Sequence, residues 1–172
     1  MPPIRIKKII RQWIILLGLS VLAAPLFALP SDSLEKVYIK ADASIYNYKT
    51  GYNIFEGNVK VDQGTTHITA QKLITKSNAK HKISEAIAYG NDGLAHYWTL
   101  TKQAEPEIHA YAKVIKFYPG ESNVTLEKQV KITQGENSFH GELIHYNSID
   151  QTIIVPASKE GRSVIVYNPD KN

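Results

Sequence analysis

The chain has 172 residues, a formal net charge of +4 and no cysteine, so it holds no disulfide, thiol nucleophile or metal–thiolate site. The excess charge is local. Arg5, Lys7, Lys8 and Arg11 stand in the first 28 residues with no acidic partner, and the remainder carries sixteen basic against sixteen acidic side chains. That balance removes the basic footprint expected of a nucleic-acid-binding protein.

In chain order, the four basic residues precede an uncharged, mostly apolar run from Trp13 to Leu22, then Pro25 and Leu26-Phe27-Ala28. This is the layout of a secretory signal peptide, with cleavage predicted after Ala28. The alternative is an uncleaved membrane anchor. Trp13–Leu29 offers 17 residues interrupted by Pro25, short of the ~20 that a spanning helix needs. Cleavage leaves residues 29–172, enough for a single domain with one core.

No segment after residue 34 carries helical periodicity. Apolar residues alternate with period two along Phe55-Gly57-Val59-Val61, Val124-Leu126 and Val130-Ile132, with Ile153 and Val155 further on. Branched Ile and Val dominate, and turn signals recur at Lys49-Thr50-Gly51, Asp62-Gln63-Gly64, Asn91-Asp92-Gly93, Pro119-Gly120 and Gln134-Gly135. These features predict about fourteen short strands in one all-β domain.

An internal repeat runs through them. Phe55-Glu56-Gly57-Asn58-Val59-Lys60-Val61-Asp62-Gln63-Gly64 returns 71 positions on as Leu126-Glu127-Lys128-Gln129-Val130-Lys131-Ile132-Thr133-Gln134-Gly135. Ile68-Thr69-Ala70-Gln71 likewise returns as Phe139-His140-Gly141-Glu142. A shorter apolar-x-small pattern starts at Ile39, Ile68, Ile108 and Phe139, with Ala41, Ala70, Ala110 and Gly141 as its small members. Such repeats predict stacked sheet layers in a jellyroll or solenoid, with small residues where the chain bends over.

At these residues the sequence resembles the OstA-like family. The matching stretches are Ile39-Lys40-Ala41-Asp42 to Tyr46-Asn47, Phe55 to Gly64, Ile68-Thr69-Ala70, their second-half copies, and Gly161 to Val166. The sequence departs from the family pattern at Lys128-Gln129, where Gly-Asn is often repeated. The resemblance implies an incompletely closed, twisted antiparallel β-jellyroll in a Gram-negative periplasm. It also implies a non-enzymatic bridge that stacks head to tail and carries lipopolysaccharide from inner to outer membrane. Lipid A acyl chains would lie inside, with the sugars outside. An inner-membrane-anchored transport partner would meet one edge and the outer-membrane translocon the other. No cofactor and no catalytic group are implied, because an inner-membrane ATPase supplies the energy.

Inward candidates for contacting acyl chains are Val37, Ile39, Val59, Val61, Ile68, Ile115, Phe117, Val130 and Ile132. Val37, Ile39, Ile115 and Phe117 are the preferred ones, because the family's lumen-facing strands align there. The plainer reading of each is a packed core residue. The basic loop from Lys76 to Lys82 offers Lys76 and Lys82 to head-group phosphates, or is simply a solvated hairpin. Tyr38, Val164 and Val166 mark strands whose edges are free for strand addition, unless the two termini pair with each other. The six histidines are scattered, and no metal set or nucleophile motif is evident. Two further alternatives are a membrane-anchored docking relative of the same fold and a β-helix polysaccharide enzyme using Asp42, Asp62 or Glu142.

Overall fold

The computed structural model describes residues 32–147, 149–150, 152–157 and 161–168. The predicted signal peptide lies outside them. After a short 3₁₀ turn at Asp32–Leu34 come, among the described residues, twelve strands. These are β1 (Tyr38–Lys40), β2 (Ala43–Tyr46), β3 (Tyr52–Gln63), β4 (Thr66–Ser77), β5 (Ile83–Tyr89), β6 (Ala95–Thr99), β7 (Ile108–Ala112), β8 (Val114–Tyr118), β9 (Asn123–Gln134), β10 (Asn137–Asn147), β11 (Thr152–Ile154) and β12 (Val164–Val166). About fourteen short strands were expected. The difference arises because β3, β4, β9 and β10 are long and bent, each serving two layers.

All pairing is antiparallel. One layer runs β2, the first half of β3, the second half of β4, β5, β8, the first half of β9, the second half of β10, and β11. The other runs β1, the second half of β3, the first half of β4, β6, β7, the second half of β9, the first half of β10, and β12. Strands β4, β5, β8, β9, β7 and β6 close a hydrogen-bonded circuit through the bends. Among the described residues the chain crosses between layers along one side, at Asp42, Gly57-Asn58, Gln71, the β5–β6 turn, Lys113, Lys128-Gln129 and Glu142. Along the opposite rim lie the hairpin loops, and among the described residues no strand pairing joins the layers there. The result is an incompletely closed jellyroll.

The bends follow from local chemistry. Gly57 and Asn58 hold φ of 78° and 46°, a left-handed conformation that Gly and Asn adopt most readily. A Cβ on Gly57 would also strike the Asp42 carboxylate. Asp42 ties the corner together: its N–H donates to the Gly57 carbonyl at 3.0 Å, and its carboxylate accepts from Asn58 Nδ2 at 2.8 Å. In the second copy the bend is made by Lys128 and Gln129 at φ of 66° and 56°. The corner is conserved in shape between the halves although its residues are not. Backbone bonds from Gly90 N–H to Lys113 O (2.9 Å) and from Lys113 N–H to Lys128 O (3.0 Å) continue the ladder along this side.

The repeat is structural as well as sequential. Lys40↔Lys60 in β1–β3 recurs as Tyr111↔Lys131 in β7–β9, and Ile54↔Ile45 in β2–β3 recurs as Thr125↔Lys116 in β8–β9. Likewise His67↔Trp98 recurs as Ser138↔Val166, and Ile74↔Ile87 as His145↔Ile154. The unit β1–β6 is therefore followed by an equivalent unit, β7–β12. They join where β5 and β6 pair with β8 and β7. The buried core lies between the layers and includes Phe55, Leu73, Ile115, Leu126, Ile132 and Ile144.

Candidate functional site

A trough of about 810 Å³ lies between the layers at the β1–β2 end and reaches the open rim. One wall is Leu73, Thr75, Ala86 and Phe117; the other is Ile39, Val61 and Ile68, with Val37 at the mouth. Alternation along β4 explains how one strand serves both walls. Ile68 lies before the bend at Gln71 and Leu73 and Thr75 after it, all inward on their own layer. Thr75 is a buried polar member of the wall, and its hydroxyl accepts from Asn53 Nδ2 at 3.2 Å. The rim carries His81 and Lys82 on one loop, facing Glu35 and Glu121 on others. The volume falls within the ≈ 300–1,000 Å³ range of small-ligand sites, and an apolar interior with a polar mouth suits an amphiphile.

The structure brings five of the candidate residues together here: Val37, Ile39, Val61, Ile68 and Phe117. The other four do not line the trough. Val59, Ile115, Val130 and Ile132 are packed in the core, each no more than 3 % exposed. Val59, Val130 and Ile115 sit close to a bend, where the layers converge, and Ile132 lies in the filled second half. Of the two lysines, Lys82 is at the rim. Lys76 stands away from the trough, with Nζ 5.6 Å from the centre of the Tyr52 ring. Leu73, Thr75, Ala86 and Ile83, also trough residues, were not singled out from sequence. Alternation from Ile68 through the bend would have found the first two.

Tyr38 lies on β1 and Val164 and Val166 on β12, at opposite ends of the sheet. β1 pairs with β3 and β12 with β10, and among the described residues no pairing joins β1 to β12. Large exposed apolar side chains gather at these ends, among them Tyr38, Ile45 and Tyr46 at one and Ile154, Ile165 and Val166 at the other. Among the described residues, both edges therefore combine unpaired backbone with uncovered apolar surface.

Histidines scattered in sequence come together on the outer face of β4, β6 and β7. His67 stacks on Trp98 (4.9 Å), Trp98 on His96 (4.4 Å) and His96 on Tyr111 (4.2 Å). His96 Nε2 lies 3.0 Å from His109 Nδ1. Partial burial first, and the neighbouring His109 second, push the His96 pKa down to about 4. Asp62 is held below the usual carboxylate range, chiefly by its hydrogen bond with His67 Nδ1 at 2.6 Å. The ring faces are spent on one another, so this row covers the sheet. No group of three or more His, Cys, Asp or Glu able to hold a metal occurs among the described residues. Of the carboxylates considered for an enzyme, Asp42 fastens a corner, Asp62 binds His67, and Glu142 lies at the β10 bend.

The fold and site define a two-layer β-jellyroll with an apolar trough open along one rim and unpaired strand edges at both ends. Residues 38–152 match the family model described as "LptA/(LptD N-terminal domain) LPS transport protein", and the chain belongs to that family. It is 29 % identical over 126 residues to the lipopolysaccharide export system protein LptH of Pseudomonas aeruginosa, covering 73 % of this chain and 71 % of that one. It is 26 % identical over 165 residues to the lipopolysaccharide export system protein LptA of Escherichia coli K12, covering 92 % and 88 %. A crystal structure of Pseudomonas aeruginosa LptH superposes with a TM-score of 0.75 at 24 % identity, covering 81 % of this chain and 100 % of that one. That structure is titled the LptA homologous periplasmic component of a lipopolysaccharide transport device, and its likeness here is one of fold.

Proposed function

We propose that this protein is a periplasmic lipopolysaccharide-binding bridge that carries its cargo's acyl chains in the trough and stacks head to tail into a continuous path toward the outer membrane. The observation that carries the reading is the apolar trough between two layers that stay unjoined along one rim. Acyl chains gain ~0.8 kcal/mol per buried CH₂, while the open rim lets a bulky saccharide remain in water. Lys82 at that rim is the better placed of the two lysines for a head-group phosphate. The relatives are named as export proteins, and a bridge of this kind needs no catalytic group of its own.

The join within the chain supplies a template for the join between copies. Inside, Ile87 pairs with Lys116 and Tyr97 with Ala110. Carried over by the repeat, Ile154 of one molecule would face Ile45 of the next, and Ile165 would face Ile39. Each pairing extends a sheet antiparallel and covers exposed apolar side chains. The inner-membrane-anchored partner and the outer-membrane translocon would use the same edges at the two ends of the stack. The export reading includes cleavage after Ala28, and mass spectrometry of the native protein should find a chain that begins at Leu29. A retained leader would favour the anchored alternative.

Photo-crosslinking tests the cargo. A photoreactive residue replacing Ile39 or Phe117 should give lipopolysaccharide adducts, whereas one replacing Lys72, on the outer face, should not. Adducts at the outer position alone would refute the reading.

A further inference from the structure

The repeat places the same strands in the same register in both halves, yet the 810 Å³ trough opens in only one. The difference is in the side chains. Thr75 is replaced in the second unit by Tyr146, and Ile68 by Phe139. The cross-strand neighbour changes too. Asn53, which satisfies the Thr75 hydroxyl, becomes Val124, which offers Tyr146 no polar atom.

Tyr146 is 3 % exposed, and among the described residues its hydroxyl has no hydrogen-bond partner. Buried phenol hydroxyls ordinarily find one, and an unmet one costs free energy that another arrangement can recover. Nearby lies Tyr97, 2 % exposed, close enough that ionising one phenol would disfavour ionising the other. The Tyr97 ring centre is 6.1 Å from that of Phe117, which lines the trough. Phe117, Tyr97 and Tyr146 thus lead from the open trough into the filled half. A cleft of about 370 Å³ further along the same rim already reaches Tyr146 and Val124, beside Thr152 and Ile154.

We propose that the interior of the second half is a second acyl-chain site, closed in this structure by Tyr146, which acts as the gate between it and the open trough. This rests on the reading that the trough takes acyl chains. Rotation of Tyr146 out of the interior leaves a space framed by Ile108, Ile132, Phe139, Ile144 and Ile153, the counterparts of trough positions. The freed hydroxyl then donates to water or to an ester or amide carbonyl at the head of the chain. The gate makes passage stepwise, with one chain held in the first half until the second opens.

The test is a titration of the full mature chain with a dansyl-labelled fatty acid. The wild-type protein should bind one probe per chain. Tyr146→Thr, which copies the open half, should bind two. Thr75→Tyr, which copies the closed half, should lose the first. Tyr146→Phe keeps the ring and removes the unsatisfied hydroxyl, so it should raise the melting temperature, still bind one probe, and slow transfer of the probe between copies. One probe bound by both wild type and Tyr146→Thr, or a lowered melting temperature for Tyr146→Phe, overturns the gate and leaves the trough reading standing. No probe bound by the wild type overturns both.

Discussion

The first half of this molecule holds space between its layers and the second half holds side chains, although β1–β6 and β7–β12 follow the same pairing scheme. Backbone architecture and interior occupancy are therefore set by different features. Register and bends come from alternation, turn glycines and corner contacts such as Asp42 to Asn58. Whether a trough exists depends on a few inward volumes, Thr75 against Tyr146 and Ile68 against Phe139. A bridge built this way can keep its sheet continuous while its interior differs from unit to unit.

The sharpest way to break the comparison is to truncate equivalent residues in the two interiors. Ile144→Ala, in the filled half, should cost near the top of the ~2–5 kcal/mol range for such changes, because its neighbours close around it. Leu73→Ala should cost about 2–3 kcal/mol, since Leu73 already borders the trough. Denaturant titration measures both. Equal losses would mean that the two interiors are equally solid.

The corners give the next largest contrast. Gly57→Lys, importing the second-half residue, should destabilise by about 2–3 kcal/mol through its positive φ and the collision with Asp42. The reverse change, Lys128→Gly, should stabilise by about 1 kcal/mol, because φ of 66° is strained for lysine and open to glycine. Thermal melts of the pair should move in opposite directions.

The smallest effect concerns pH. His96 is depressed from its ordinary 6.5 to about 4 when folded, so the unfolded chain takes up a proton first as pH falls. The stability contributed by neutral His96 is full above pH 6.5 and is lost progressively toward pH 4. At this half-exposed site the loss should be only about 1 kcal/mol after solvent screening. His96→Phe, which keeps the stack without titrating, should flatten the melting temperature between pH 7 and 4.5.

Much of the architecture was legible in the sequence. Period-two alternation and glycine turns marked the strands, and Phe55–Gly64 with its copy at Leu126–Gly135 marked the repeat. The second corner was less visible, because Lys128 and Gln129 carry no left-handed preference of their own. The site was only half legible for a similar reason. Alternation says which way Val59, Val130 and Ile132 face and leaves Ile115 ambiguous across Lys113, but it does not say whether a facing layer meets them. That depends on distance from the bend and on the bulk across the gap, which only the folded chain brings together. The histidine row escaped notice because β4, β6 and β7 are neighbours through pairing rather than through sequence.

The most direct test of a continuous path is a disulfide between copies. The chain has no cysteine, so Ile45→Cys and Ile154→Cys in one protein can bridge only through the introduced pair. If the inner join is the template for the outer one, the two Cα atoms should approach within the roughly 4.4–6.8 Å that a disulfide spans. Oxidation should then give a ladder of covalent multimers on a denaturing gel. A control with Ile45→Cys and Val166→Cys, which lie on β2 and β12 in different layers, should remain monomeric. Multimers from the control alone, or monomers from both, would contradict the account.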